Sequence, residues 1–116
     1  MRVEDIMTLD VETISPQASA DAAWSQMNFH RIHHLVVLER NEIVGILSHR
    51  DLGGPQGADL RKNHQVRDLM NTEVVTISPQ ATVKEAANLL RGLTIGCVPV
   101  VEGRKLVGIV SISDLL

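Results

Sequence analysis

The chain carries one sequence twice. Residues 13 to 18 read TISPQA and residues 76 to 81 read TISPQA again, an offset of 63. The offset holds without a gap on either side. Val3, Asp5 and Met7 recur as Val66, Asp68 and Met70, and Val44-Gly45-Ile46 recurs as Val107-Gly108-Ile109. Ser48, Asp51 and Leu52 recur as Ser111, Asp114 and Leu115. The period is too long for most solenoid units, and two copies fall short of an array. The expectation is one small fold written twice and packed about a pseudo-twofold axis, with a seam suited to a ligand. The whole chain of 116 residues has room for one compact unit, with a radius of gyration of about 13 Å. A single copy, at roughly 50 to 60 residues, buries too little surface to be comfortable alone.

Each copy gives the same order of signals. Val11 to Ile14 and Val74 to Ile77 favour extended backbone and are stopped by Ser-Pro, where the ring removes a donor. A helix follows. In copy one Ser19 is the cap, and Ala22, Ala23 and Met27, with Trp24, are expected to face the core. In copy two Thr82-Val-Lys-Glu85 has the form of a capping box, and Ala86, Leu89, Leu90 and Leu93 form the apolar stripe. Next come two apolar runs around a polar turn. These are Leu35 to Leu38 and Ile43 to Leu47 about Glu39–Glu42, then Val98 to Val101 and Leu106 to Val110 about Glu102–Lys105. Both read as antiparallel hairpins. A short helix is expected after Ser48 and after Ser111. The unit is β-α-β-β-α and the fold class α+β. Residues 1–52 form the first copy, 53–65 a connector and 66–116 the second. The connector is punctuated by Gly53-Gly-Pro-Gln-Gly57. It lacks the Gly-Lys-Ser/Thr of a phosphate loop.

Composition removes several functions. The net charge is −3, and no basic face is interleaved with aromatics, since Trp24 and Phe29 are the only aromatic residues. That disfavours nucleic acid as a partner. No apolar run approaches the roughly 20 residues of a membrane span, so no membrane partner is expected. The N-terminus, MRVEDIMTLD, places acids where a signal peptide is apolar. Cys97 is the only cysteine, which fits a reducing compartment. The expected location is the cytoplasm.

The D-I-M-T opening (Asp5 to Thr8), T-I-S-P, and the strand pair ending in V-G-I-L-S-H-R-D (Val44 to Asp51) occur in order. They return as D-L-M-N (Asp68 to Asn71), T-I-S-P, C-V-P-V-V (Cys97 to Val101) and V-G-I-V-S-I-S-D (Val107 to Asp114). This doubled set resembles the cystathionine β-synthase (CBS) domain family across nearly the whole chain. The resemblance implies a tandem pair, the arrangement called a Bateman module. It implies sheets packed face to face, two clefts between the repeats, and adenine-containing ligands in them. It also implies a sensor that dimerises into a flat disk and is not itself a catalyst. No obligatory cofactor follows. The expected regulatory ligand is AMP, ADP or ATP, with S-adenosylmethionine or NADH as further options. The expected partners are a second copy of the chain and an effector domain or protein.

A nucleoside needs an apolar slot for its base, an acceptor for its sugar hydroxyls, and donors for any phosphate. Asp51 and Asp114 suit the ribose, because a carboxylate accepts from two neighbouring hydroxyls. The same spacing, Ser48-x-x-Asp51 and Ser111-x-x-Asp114, also fits a cap that merely starts a helix, and both readings stand. Ser48 and Ser111 would receive phosphate if they open helices, where anions are favoured, or else simply cap them. Arg50 offers a forked donor set to phosphate. Its counterpart in copy two is Ser113, so the copies are not equivalent. Arg61, Lys62 and His64 of the connector are further sources of positive charge.

By resemblance, Thr13, Ile14 and Ser15, and Thr76, Ile77 and Ser78, lie near the base or ribose, although they equally shape the strand-to-helix turn. By resemblance again, adenine lies against His34-Leu35-Val36 and Cys97-Val98-Pro99. Copy two matches better because it has proline where copy one has Val36. His30, His33, His34 and His49 invite a metal, but they lack the cysteine or carboxylate partners that a four-ligand site needs, and no metal is expected. Cys97 has no paired base and reads as a small buried hydrophobe. With no nucleophile–base pair evident, an enzyme is not expected. The alternative to a ligand sensor is a dimerisation and interaction scaffold with no bound nucleotide.

Overall fold

The computed structural model describes residues 1–93 and 95–115. The elements are β1 (Thr13–Ile14), α1 (Ala20–His30), β2 (His34–Glu39), β3 (Glu42–Ser48), α2 (Ala58–Lys62), α3 (Val66–Leu69), α4 (Val83–Gly92), β4 (Cys97–Glu102) and β5 (Lys105–Ser111). Single 3-10 turns lie at Val3–Asp5, Gly54–Gln56 and Ile112–Leu115. The fold is mixed α+β, in two compact units. One is residues 12–74, and the other joins residues 1–11 to 75–116.

In the 12–74 unit the sheet order is β1-β2-β3, with β1 parallel to β2 and β2 antiparallel to β3. The hairpin closes on Glu39↔Glu42 through Arg40 and Asn41, both at positive φ. Two left-handed central residues are what a type I′ turn requires. The β4–β5 hairpin closes on Glu102↔Lys105, where only Gly103 has positive φ. That is the type II′ pattern, with glycine first. In both hairpins the register slips by one residue after the glycine-facing valine, at Val37/Leu38 and Val100/Val101.

One strand differs between the copies. Val36 N donates to Glu12 O at 3.2 Å, which helps hold β1 on β2. Its counterpart is Pro99, which has no N–H to give. The stretch around Ile77 is therefore reduced to a single parallel bridge, Ile77↔Val100, fixed by Ile77 N to Pro99 O and Val101 N to Ile77 O.

Ser19 caps α1 by accepting from Ala22 N at 3.0 Å, and Thr82 caps α4 by accepting from Glu85 N at 3.1 Å. With the α1 helix starting at Ala20, its core positions are Ala20, Ala23 and Met27. Ala22 faces solvent, contrary to the sequence expectation, because the buried stripe runs through Ala20, Ala23 and Met27 and Ala22 lies off it. Trp24 packs partly buried. In α4, Ala86 and Leu90 are buried and Leu89 is half-buried, but Leu93 lies beyond the last turn and is exposed. Each unit has its own core. One holds Met27, Leu35, Val37, Leu47, Leu52 and Val66, and the other Val3, Ile77, Ala86, Leu90, Val98, Val100 and Val110.

The units do not coincide with the sequence repeats. The opening of copy one, Val3 to Thr8, packs on the hairpin of copy two. Met7 lies over Gly108, so close that a Cβ there would stand 2.6 Å from its sulfur. The opening of copy two packs on the hairpin of copy one, with Met70 over Gly45 at the same 2.6 Å. Edge bridges Thr8↔Ile109 and Ile46↔Asn71 complete the exchange. Asp5 and Asp68 hold the two openings in shape, accepting from Arg2 N and Gln65 N at 2.8 Å.

Of the short helices expected after Ser48 and Ser111, the second is present as the Ile112–Leu115 3-10 helix, and the first does not form among the described residues. Residues 49–53 form consecutive turns before the Gly54–Gln56 3-10 segment. Gly53 and Gly54, at φ 88° and 63°, leave the helical region and end any winding in copy one.

Candidate ligand-binding site

The Ser48–Asp51 and Ser111–Asp114 turns are built alike. Each follows the last residue of a hairpin strand, paired as His34↔Ser48 and Cys97↔Ser111. Each is entered through one backbone bond, His49 N to His33 O at 2.8 Å and Ile112 N to Gly96 O at 3.3 Å. Ser48 N donates to Asp51 Oδ2 at 2.8 Å, and Asp51 N donates back to Ser48 Oγ at 3.0 Å. Ser111 N donates to Asp114 Oδ2 at 2.8 Å, and Ser111 Oγ donates to the same oxygen at 3.2 Å. The reciprocal capping arrangement is complete in copy one, where it closes a turn, and half made in copy two, where Ser111 N bonds Asp114 at the start of the Ile112–Leu115 3-10 helix. Ser48 opens no helix among the described residues, so the helix-terminus argument for phosphate does not apply there, whereas Ser111 opens only the four-residue 3-10 helix Ile112–Leu115.

Each aspartate spends only one oxygen in this way. Asp114 Oδ1 meets Thr8 Oγ1 at a long 3.5 Å, and Asp51 Oδ1 has no hydrogen bond among the described residues. Both side chains are half-buried.

The other site residues divide by burial. Leu35, Val36, Cys97, Val98 and Pro99 are buried, and His34 is half-buried. Burial pushes the Cys97 thiol up to about 12, so it stays protonated and unreactive at neutral pH. Thr13 and Ile14 are half-buried, Ile77 is nearly buried, and Thr76 and Ser78 are exposed. Ser15 and Ser78 shape the strand-to-helix turns, accepting from Gln17 N at 3.2 Å and Gln80 N at 3.1 Å. Arg50 is exposed and pairs with no carboxylate among the described residues. Ser113 Oγ lies 2.8 Å from Ser111 Oγ.

Arg61, read from the sequence as spare positive charge, is committed elsewhere. It is 5% exposed, donates from Nη1 to Leu52 O and Gly54 O at 2.8 and 2.7 Å, and lies 3.8 Å over the Trp24 ring. His49 stacks on the same ring at 4.3 Å. Two groups that close to one centroid cannot share a face, so Trp24 is sandwiched between them. Its spacing gave no hint of this, because nothing in the connector's Gly-Pro punctuation marks Arg61 as buried. His64 Nδ1 is 2.6 Å from Leu60 O, and Lys62 pairs with Asp59 at 3.9 Å. His30 pairs with Glu12 at 3.1 Å. Among the described residues no three histidine, cysteine or acidic side chains converge as a metal site, and no helix is long and apolar enough to cross a membrane.

Burial holds His34 below the usual imidazole range, with His33 adding to the effect and Asp51 opposing it. Desolvation, then His33 and Arg61, does the same to His49. A histidine with a lowered folded-state pKa resists protonation only while folded. Its contribution to stability is fully present above about pH 6.5, the unfolded value, and is lost as pH falls through that value toward the folded one. The melting temperature is therefore expected to drop between pH 7.5 and 5.5, and the drop should shrink in His34→Gln and in His49→Gln. Equal slopes in wild type and both variants would rule these two histidines out as the cause.

A sequence model of the CBS domain matches residues 3–52 and matches again at 66–116. The chain belongs to the CBS domain family. The CBS domain-containing protein YhcV of Bacillus subtilis is 33% identical over 97% of this chain and 81% of its own length. The CBS domain pair of protein MJ0100, solved with 5′-methylthioadenosine and S-adenosyl-L-methionine, superposes with a TM-score of 0.89 at 26% identity, covering 99% of this chain and 92% of that one. CBSX2, solved with AMP, superposes at 0.85 with 27% identity, covering 98% and 92%. Relatives also include inosine-5′-monophosphate dehydrogenase of Korarchaeum cryptofilum, 32% identical over 98% of this CBS pair but only 23% of the dehydrogenase.

Proposed function

We propose that this CBS pair is a regulatory module that binds an adenine nucleotide or a related adenosyl compound through the Ser48–Asp51 and Ser111–Asp114 turns, and that it is not itself an enzyme. One observation carries the reading. Each aspartate is held through Oδ2 at 2.8 Å while Oδ1 has no short bond among the described residues, which leaves an oriented acceptor for ribose hydroxyls. The adenosyl ligands of MJ0100 and the AMP of CBSX2 support the ligand class. His34 to Val36 and Cys97 to Pro99, with Thr13, Ile14, Thr76, Ile77 and Ser78, are the proposed neighbours of the base and sugar. Signalling follows from population shift. The ligand acts only through different affinities for two conformations, which a dimer mate or an effector protein then reads. The proposed setting is the cytoplasm.

Calorimetry with AMP, ADP, ATP, NADH and S-adenosylmethionine tests this. At least one is expected to bind. Asp51→Asn or Asp114→Asn keeps an oxygen for the turn but loses the charged acceptor, and is expected to weaken binding about ten- to hundredfold, the worth of a charge-assisted hydrogen bond. No heat from any of the five at millimolar concentration would overturn the reading. It would favour the scaffold alternative, to which Phe29, 82% exposed on α1, would then belong.

A further inference from the structure

The two turns share the bond from serine N to aspartate Oδ2 and differ in charge. At four aligned positions copy one has His33, His34, His49 and Arg50, and copy two has Gly96, Cys97, Ile112 and Ser113. Every basic residue of the first turn is uncharged in the second, although the aspartate bonds are the same 2.8 Å. We infer that the copies divide the ligands by charge. The Ser48–Asp51 turn takes a phosphorylated adenylate, and the Ser111–Asp114 turn takes an adenosyl compound with no phosphate at the 5′ position. This rests on the adenosyl reading above and adds which class each turn accepts.

Arg50 supplies the permanent charge. It is exposed, and Asp51, the acid beside it, directs Oδ2 back to Ser48 N rather than toward the guanidinium. A fork of N–H donors with no carboxylate partner among the described residues suits a phosphate. His49 is held at the same turn by its stack on Trp24, with His33 5.3 Å away. A dianion placed there favours the protonated form of the His49 ring, which then reinforces Arg50 when phosphate arrives.

Copy two offers the reverse. Ser113 and Ser111 bond to each other at 2.8 Å, and Asp114 carries the only charge of the turn. A phosphate there would meet a carboxylate with no cation among the four aligned positions. A neutral thioether or hydroxymethyl group meets no such penalty. Ile112, 51% exposed where copy one has His49, adds apolar surface suited to it.

The test compares AMP with 5′-methylthioadenosine by calorimetry on the full chain, in wild type, Arg50→Ser and Ser113→Arg. Both substitutions fall on exposed side chains, and a melting curve confirms folding. Arg50→Ser is expected to lower the ratio of AMP to 5′-methylthioadenosine affinity about ten- to hundredfold. Ser113→Arg is expected to create a second AMP site where wild type has one. An unchanged ratio in Arg50→Ser, or AMP filling two equal sites in wild type, overturns the division by charge and leaves the adenosyl reading standing. If neither compound binds, the division by charge falls, and the five-compound screen above decides the adenosyl reading separately.

Discussion

A chain lacking residues 1–8 is expected to lose the folded structure of its second half while keeping that of its first. The deletion falls in copy one of the repeat, yet the residues it orphans are in copy two. Val3 is fully buried in the core with Val98, Val100 and Val110. Its N–H donates to Ala81 O at 2.8 Å, Glu4 N to Pro79 O at 3.0 Å, and Val83 N to Met1 O at 3.0 Å. Thr8 and Ile109 exchange two more bonds at 2.9 and 3.0 Å. Burying one valine contributes roughly 1.5 to 3 kcal/mol, and each of these bonds about 0.5 to 1.5 kcal/mol net. The loss is on the order of 5 kcal/mol or more, comparable to the whole stability of a small domain. Met7 would also leave Gly108 bare, exposing a strand position with no side chain of its own. Hydrogen exchange is the readout. Protection should vanish across 97–111 and persist across 20–30 and 34–48. Unchanged protection at 97–111 would show that the opening segment is an ornament of that unit.

The exchange of openings was the part of the fold hidden from the sequence, and the reason is specific. Both copies carry the same methionine and the same glycine. A repeat in which Met7 lies on Gly45 reads identically to one in which it lies on Gly108. Sequence pairs the residue types and has no means of saying which copy supplies which. The hairpins, by contrast, were legible down to their closing residues, because Glu39–Glu42 and Glu102–Lys105 are short polar breaks in apolar runs and leave one register. The caps Ser19 and Thr82 were legible for the same local reason. The closing helix expected in copy one does not form, because Ser-x-x-Asp is the same four-residue signal whether a helix or a lone turn follows. What decides the matter in copy one is Gly53-Gly54 immediately downstream. At the candidate site, the aspartates and Arg50 stood out by type and spacing. Arg61 did not, since its burial depends on Trp24, 37 residues earlier in the chain.

That contact underlies the other large expected effect, Gly57→Ala. The glycine sits at φ −93°, where alanine is content, so backbone preference alone predicts almost nothing. Space predicts the opposite. A Cβ would lie 2.4 Å from Leu52 O and 2.6 Å from Gly53 Cα, both backbone atoms that no rotamer change can move. The 52–57 turn would have to open, and its carbonyls at Leu52 and Gly54 are the ones that hold Arg61 Nη1. Arg61 Nε already lacks a hydrogen-bond partner among the described residues, with Asp21 Oδ1 a loose ion pair at 3.9 Å. Stripping the remaining acceptors strands a buried guanidinium, which costs roughly 3 to 5 kcal/mol. Gly54→Ala is the contrasting case. Nothing lies within 4 Å of its Cβ, but its φ is +63°, a left-handed conformation that costs a side chain about 1 to 2 kcal/mol. Chemical denaturation should therefore rank Gly57→Ala well below Gly54→Ala in stability. Trp24, the only tryptophan, should report the difference directly. Its emission should shift in folded Gly57→Ala as Arg61 and His49 leave its two faces, and stay near wild type in Gly54→Ala. Equal losses with equal spectra would mean that the close approach at Gly57 relaxes without disturbing Arg61, and that the connector does not hold the Trp24 stack in place.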